Sequence, residues 1–160
     1  MATINLSEYN PDEIPSGKGK TVSIAVSEWN GEVTQRLLEG AIETLMQHDV
    51  RREDINVVHV PGSFELIYAC HSLSSGMGQP HVIIALGAVI RGETPHFDYI
   101  SQAVAINLGK LNATTKTPIV MGVLTTDNMQ QALDRAGGSK GNKGVEAAVT
   151  ALKMIDQFVW

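Results

Sequence analysis

Residues 81–99 read HVIIALGAVIRGETPHFDY. Val82 to Leu86 is apolar without interruption, as in a strand buried on both faces of a parallel sheet. The chain then turns polar through Gly87, Arg91, Gly92, Glu93, Thr94, Pro95 and His96. After His96 a helical period sets in, with Phe97, Ile100, Val104, Leu108 and Leu111 on one stripe. A loop rich in glycine and polar groups therefore lies between the C-terminal end of a buried strand and the start of a helix. In open α/β sheets ligands bind at that edge. The helix start adds unpaired N–H groups and a partial positive charge, which suit an anion such as phosphate.

The same alternation runs outward in both directions. Residues 21–27 (TVSIAVS) form a first strand, ended by Glu28-Trp29-Asn30-Gly31. A helix follows with Val33, Leu37, Leu38, Ala41, Ile42, Leu45 and Met46 on one side. Residues 55–60 (INVVHV) form a second strand, stopped by Pro61-Gly62. Ser63 is placed to cap the next helix, through Leu66, Ile67, Ala69 and Cys70. Beyond the third strand and helix, residues 119–124 (IVMGVL) form a fourth strand. Residues 125–128 cap a short helix over 129–135, and glycines over 137–141 break it. Lys143 opens a last helix carrying Val145, Ala148, Val149, Leu152, Ile155 and Phe158. The order β-α-β-α-β-α-β-α-α predicts an α/β fold: a three-layer α/β/α sandwich, flavodoxin-like, with a central four-stranded parallel sheet. Residues 1–20, with Pro11, Pro15, Gly17 and Gly19, read as an N-terminal arm, and residues 21–160 as one domain.

The bulk numbers agree. A chain of 160 residues with 43% hydrophobic and 18% charged residues has the composition of one soluble globular domain. A net charge of −5, not gathered in a run, argues against nucleic acid or a membrane surface as a partner. The lone Cys70 excludes a disulfide framework and fits a reducing, cytoplasmic setting. No span is long enough to cross a bilayer, and residues 1–19 lack the apolar core of a signal peptide.

Polar and unusual residues gather just after each strand. Trp29 is either a core side chain at the rim or a flat platform for a planar ring. Glu65 in a first helical turn complements the helix dipole, and in a site it would accept hydrogen bonds from hydroxyls. Thr94 and His96 sit beside a phosphate-friendly turn with Arg91, and His is the side chain suited to moving protons near neutral pH. Arg135 and Lys143 flank the glycine-rich break, either as a solvated face or as cationic recognition of an anion. No Walker A or GxGxxG pattern is present and no Cys/His set has ligand spacing, so no metal is expected. The residues alone describe a site for a planar, hydroxylated, phosphorylated small molecule, with a histidine available for proton transfer.

Four motifs in register carry a resemblance: VPGSFEL (60–66), LGAVIRGETPHFDYI (86–100), GVLTTDNMQQALDRAG (122–137) and GNKGVEAA (141–148). Together they resemble the lumazine synthase family from about residue 21 to the end. The resemblance implies condensation of 5-amino-6-(D-ribitylamino)uracil with 3,4-dihydroxy-2-butanone 4-phosphate, releasing phosphate and water, in the penultimate step of riboflavin biosynthesis. It implies no cofactor. Trp29 takes the place of the aromatic that stacks on the pyrimidine. Asn30, Gly62, Ser63, Phe64 and Glu65 would hold the ribityl chain and ring edge, and Ala88, Val89 and Ile90 would line the ring pocket with backbone groups. Glu93 (through its N–H), Thr94 and Arg135 would bind the phosphate, His96 would shuttle protons, and Lys143 matches the family's lysine near the substrate. Two positions depart from the pattern. Trp29 stands where Phe is frequent, and some members with Trp bind riboflavin. Met121 stands where a neighbouring subunit usually supplies Phe.

The resemblance also implies self-association into homopentamers with active sites between subunits, Met121, Arg135 and Lys143 coming from the next subunit. Residues 137–144 are compact and lack the insertion of pentamer-only members, which implies an icosahedral shell of pentamers and a possible association with riboflavin synthase. The arm would add a strand to a neighbour's sheet. Three other readings compete. A flavodoxin-like module for FMN would need a hydroxyl- or glycine-rich phosphate loop where this chain has SEWNGE. A signalling receiver would need an acidic cluster at the first strand's end. A shell protein without catalysis would not need His96, Arg135 and Lys143 together.

Overall fold

Each apolar run becomes a parallel strand in the computed structural model, which describes residues 5–158. The strands β1 (Val22–Ser27), β2 (Ile55–Val60), β3 (Val82–Ile90) and β4 (Ile119–Thr126) form one sheet in the order β2-β1-β3-β4, parallel throughout. Helices α1 (Gly31–Gln47), α2 (Leu66–Ser75), α3 (His96–Thr114), α4 (Met129–Asp134) and α5 (Lys143–Phe158) connect and cover it. β1 is buried along its whole length and β3 from Val82 to Ala88, because both have a strand on each side and helices on each face. On one face Ile24, Val26, Ile84 and Leu86 pack with Leu37, Leu45 and Leu152 of α1 and α5. On the other, Ala25, Ile83 and Ala85 pack with Leu66, Cys70, Val104 and Leu108 of α2 and α3. This is the flavodoxin-like α/β/α sandwich that the element order predicts.

One close approach fixes the α1–α5 side. A Cβ on Gly144 would lie 2.7 Å from the carbonyl carbon of Leu37 and 2.9 Å from its Cα. Only glycine lets α5 begin directly against the α1 backbone.

Three local expectations are corrected. The third strand runs to Ile90 rather than Leu86, and the fourth to Thr126 rather than Leu124, because the two extend each other through Val89↔Thr125 and Ile90↔Thr126. Ser63 does not cap α2. Gly62 occupies the cap position of a 3₁₀ turn, Ser63–Glu65, that precedes the helix. The Ser63 hydroxyl instead turns inward beneath β3, where a Cβ on Gly87 would lie 2.7 Å from its Oγ. The glycine-rich break is a small hairpin, β5 (Ala136–Gly138) and β6 (Gly141–Asn142), with positive φ of 103° at Gly137 and 82° at Gly141. The α4 cap agrees with the sequence, since the Gln131 N–H donates to Asn128 Oδ1 at 2.9 Å. Residues 5–20 lie against the same chain. Gly17 N–H donates to the His48 carbonyl at 2.7 Å, and Asn142 N–H to Ser7 Oγ at 3.1 Å.

Candidate active site

The longer β3 has a direct consequence. Its pairing with β1 ends at Val26↔Leu86, while its pairing with β4 continues to Ile90↔Thr126. The edge of Gly87–Ile90 that faces away from β4 is thus released from the sheet. A cleft of about 360 Å³ opens there, lined by Trp29, Asn30, Ser63, Phe64, Glu65, Ala88, Val89, Ile90, His96 and Ile100.

Local physics sets each wall. Asn30 sits in the left-handed region at φ 58°, ψ 43°, which Asn tolerates better than most residues. From there its Nδ2 donates to the Ala88 carbonyl at 2.9 Å and ties the β1 exit to β3. Trp29 N–H donates to the Pro61 carbonyl at 2.9 Å. Its ring lies on Gly62, where a Cβ would meet the ring Cε3 at 2.7 Å. Trp29 is nevertheless 67% exposed, so it is not a core side chain. Glu65 Oε2 accepts from Gly62 N–H at 3.1 Å, which holds the turn beneath the ring. The buried hydroxyl of Ser63 has no hydrogen-bond partner among the described residues, and a buried hydroxyl is satisfied by a polar ligand or water. His96, the first residue of α3, closes the cleft beside Ile100. Glu93 and Thr94 are exposed on the adjoining loop, and their backbone N–H groups have no acceptor among the described residues.

Met121, Arg135 and Lys143 are elsewhere. They line a second cleft of about 560 Å³ along the open edge of β4, together with Thr125, Thr126 and Lys140. The chain therefore gathers Trp29, Asn30, Ser63, Phe64, Glu65, Ala88, Val89, Ile90 and His96 on one cleft, with Gly62 beneath Trp29, and Met121, Arg135 and Lys143 on the other. Neither Glu93 nor Thr94 lines either cleft, and the Arg135 side chain is bonded to Glu146.

Two of the second cleft's lining residues, Arg135 and Lys143, are held by a residue that the sequence reading missed. Glu146 is 7% exposed; Arg135 Nη2 donates to its Oε1 at 3.1 Å, and Lys143 Nζ to its Oε2 at 2.8 Å. One buried carboxylate thus orients both cations. The signal was present: a glutamate beside Gly144, Ala147 and Ala148 on the inward side of α5 needs a partner, and the nearby cations are the available ones. Cys70 is inert, since burial pushes its thiol up to about 12 and it stays protonated near neutrality.

Comparison with known proteins gives a consistent answer. The family model described as 6,7-dimethyl-8-ribityllumazine synthase matches residues 19–158. The protein of that name from Porphyromonas gingivalis is 51% identical over 156 residues, covering 96% of each chain. That from Parabacteroides distasonis is 48% identical over 158 residues, covering 98% of each. That from Flavobacterium johnsoniae is 46% identical over 150 residues, covering 94% of this chain and 78% of its own. With a family match over nearly its whole length and relatives at about half identity, the chain belongs to the 6,7-dimethyl-8-ribityllumazine synthase family.

Proposed function

We propose that the two clefts are halves of one active site, completed where two copies of the chain meet. The reaction is the family's: 5-amino-6-(D-ribitylamino)uracil and 3,4-dihydroxy-2-butanone 4-phosphate give 6,7-dimethyl-8-ribityllumazine, phosphate and water in riboflavin biosynthesis. The observation that carries the reading is the released β3 edge beside an exposed Trp29, with the paired cations displaced to the edge of β4. A flat pyrimidine stacked on Trp29 would present its ring edge to the β3 backbone at Ala88, Val89 and Ile90. Its ribityl hydroxyls would meet Asn30, Ser63 and Glu65, with Gly62 and Phe64 framing the entry. The phosphate would lie at the N–H of Glu93 and at Thr94, facing Arg135 and Lys143 of the adjacent copy, whose Met121 would cover the ring.

The chemistry suits these groups. The amine attacks the ketone, the carbinolamine loses water, phosphate leaves and the ring closes. Each step moves a proton, and His96 stands where the two substrates would meet. Cations at the phosphate help it depart, and much of the acceleration comes from holding the reactants in register. We assign the assembly as a pentamer, stacked into an icosahedral shell able to associate with riboflavin synthase. The exposed Phe64, Tyr68, Tyr99 and Ile106 on the α2–α3 side support a self-associating face. The location is the cytosol, and among the described residues no helix is long and apolar enough to cross a membrane. The same Trp29 face would accept riboflavin as a product-like inhibitor.

The test is to mix the two substrates and follow lumazine absorbance. His96→Ala lowers turnover and leaves weak activity, because alignment survives; unchanged turnover refutes the proton role. Coexpressed His96→Ala and Arg135→Ala chains recover more activity than either has alone if the site is shared, and no gain would mean that both halves lie in one chain. Light scattering that gives a mass near five chains refutes the shell.

A further inference from the structure

We propose that Arg91 is a positioning residue that holds the loop of residues 92–96 in its working shape; this rests on the role given above to Glu93, Thr94 and His96. Arg91 leaves β3 with its N–H donating to the Thr126 carbonyl at 2.9 Å. Its side chain then doubles back to the far end of the loop. The guanidinium carbon lies 4.1 Å from the centroid of the Phe97 ring. Nη1 and Nη2 donate to the two Asp98 oxygens at 3.3 and 3.1 Å, and Nε donates to Asp127 Oδ1 at 2.9 Å. Hydrogen bonds to Asp98 and then Asp127 raise its pKa further, so the charge is permanent.

Both ends of the loop are thereby pinned to one rigid fork, with the β4–α4 connection tied in through Asp127. The arrangement uses what distinguishes Arg from Lys: a planar fork that bonds two carboxylates at once and stacks on an aromatic face. These ion pairs are exposed, and exposed pairs contribute little to stability. The network therefore acts on geometry more than on folding. With both carboxylates on it, Arg91 is also occupied as a charge and does not serve as a phosphate ligand.

Steady-state kinetics on the full-length enzyme, varying each substrate in turn, tests this. Arg91→Met raises KM for the phosphorylated ketone about tenfold and lowers kcat about tenfold, while KM for the ribitylaminouracil stays within about twofold and the unfolding midpoint is unchanged. Arg91→Lys falls between, because a point charge reaches one carboxylate at a time. Arg91→Met uncovers two carboxylates that would repel phosphate. The triple variant Arg91→Met/Asp98→Asn/Asp127→Asn removes that repulsion and remains impaired if shape is what was lost. Overturning results are wild-type kinetics in Arg91→Met or Arg91→Lys, recovery in the triple variant, or equal shifts in both KM values. Thr94→Val separates the premise from the proposal. If it leaves the ketone KM unchanged, the loop's phosphate role fails and the proposal with it. If it raises that KM while Arg91→Met does not, only the Arg91 proposal fails.

Discussion

Replacing Glu146 with Gln tests the link between fold and site most directly. The carboxylate is 7% exposed and its two partners keep 20% and 30% side-chain exposure. Removing one member of a buried ion pair costs about 3–5 kcal/mol, because the remaining charge is left uncompensated. Here the cations can still turn toward water, and Gln keeps one acceptor for Arg135, so the expected loss is about 2–3 kcal/mol. For a domain of this size that is a fall in Tm of roughly 5–10 °C. Lys143 would face either an amide oxygen or an amide donor, with no charge to hold it. The two cations should then take an anion from solution more readily. Inorganic phosphate should therefore stabilise Glu146→Gln more than it stabilises the native chain. At ten times its dissociation constant phosphate adds about 1.4 kcal/mol. Thermal and urea unfolding, with and without phosphate, read both effects. A loss under about 1 kcal/mol would mean that the Arg135–Glu146–Lys143 cluster is open in solution. Equal phosphate stabilisation of both proteins would mean that Glu146 does not compete for these cations.

Two further outcomes concern the core. Gly144→Ala forces a methyl group into the Leu37 backbone, and the repulsion outweighs the helix propensity gained, for a net loss of about 1–3 kcal/mol in urea unfolding; a stabilised variant would refute the α1–α5 contact. Burial raises the Cys70 thiol from 9.0 to about 12, so the unfolded chain releases this proton first as pH climbs. The contribution is complete below about pH 9 and falls by about 1.4 kcal/mol per unit until the folded thiol titrates. Cys70→Ala should flatten that alkaline slope, and an identical slope in both proteins would show that other groups produce it.

The strand and helix order was legible because each apolar run is short, periodic and bounded by Gly, Pro or an N-cap residue. What escaped was decided across the chain. Ala88, Val89 and Ile90 are apolar whether or not the strand continues; the length of β4 makes it continue and the early end of β1 frees its other edge. Ser63 has the chemistry of a cap, yet the turn after Pro61 carries it under Gly87, a residue distant in sequence. Glu146 finds Arg135 only because the hairpin at Gly137 and Gly141 folds α5 back onto α4's end. The site shows the same limit at larger scale. Parallel crossovers put all strand ends on one rim, so the residues alone read as one pocket, and only the resemblance assigned Met121, Arg135 and Lys143 to a neighbouring subunit. But β4 is an edge strand of the sheet among the described residues, and the cleft along it shares no lining residue with the cleft at the β1–β3 exit. One rim thus serves two clefts, one with the platform and the histidine, the other with the oriented cations. Under the proposed reading these are complementary halves, and the division would be useful only if a second copy brings the missing half.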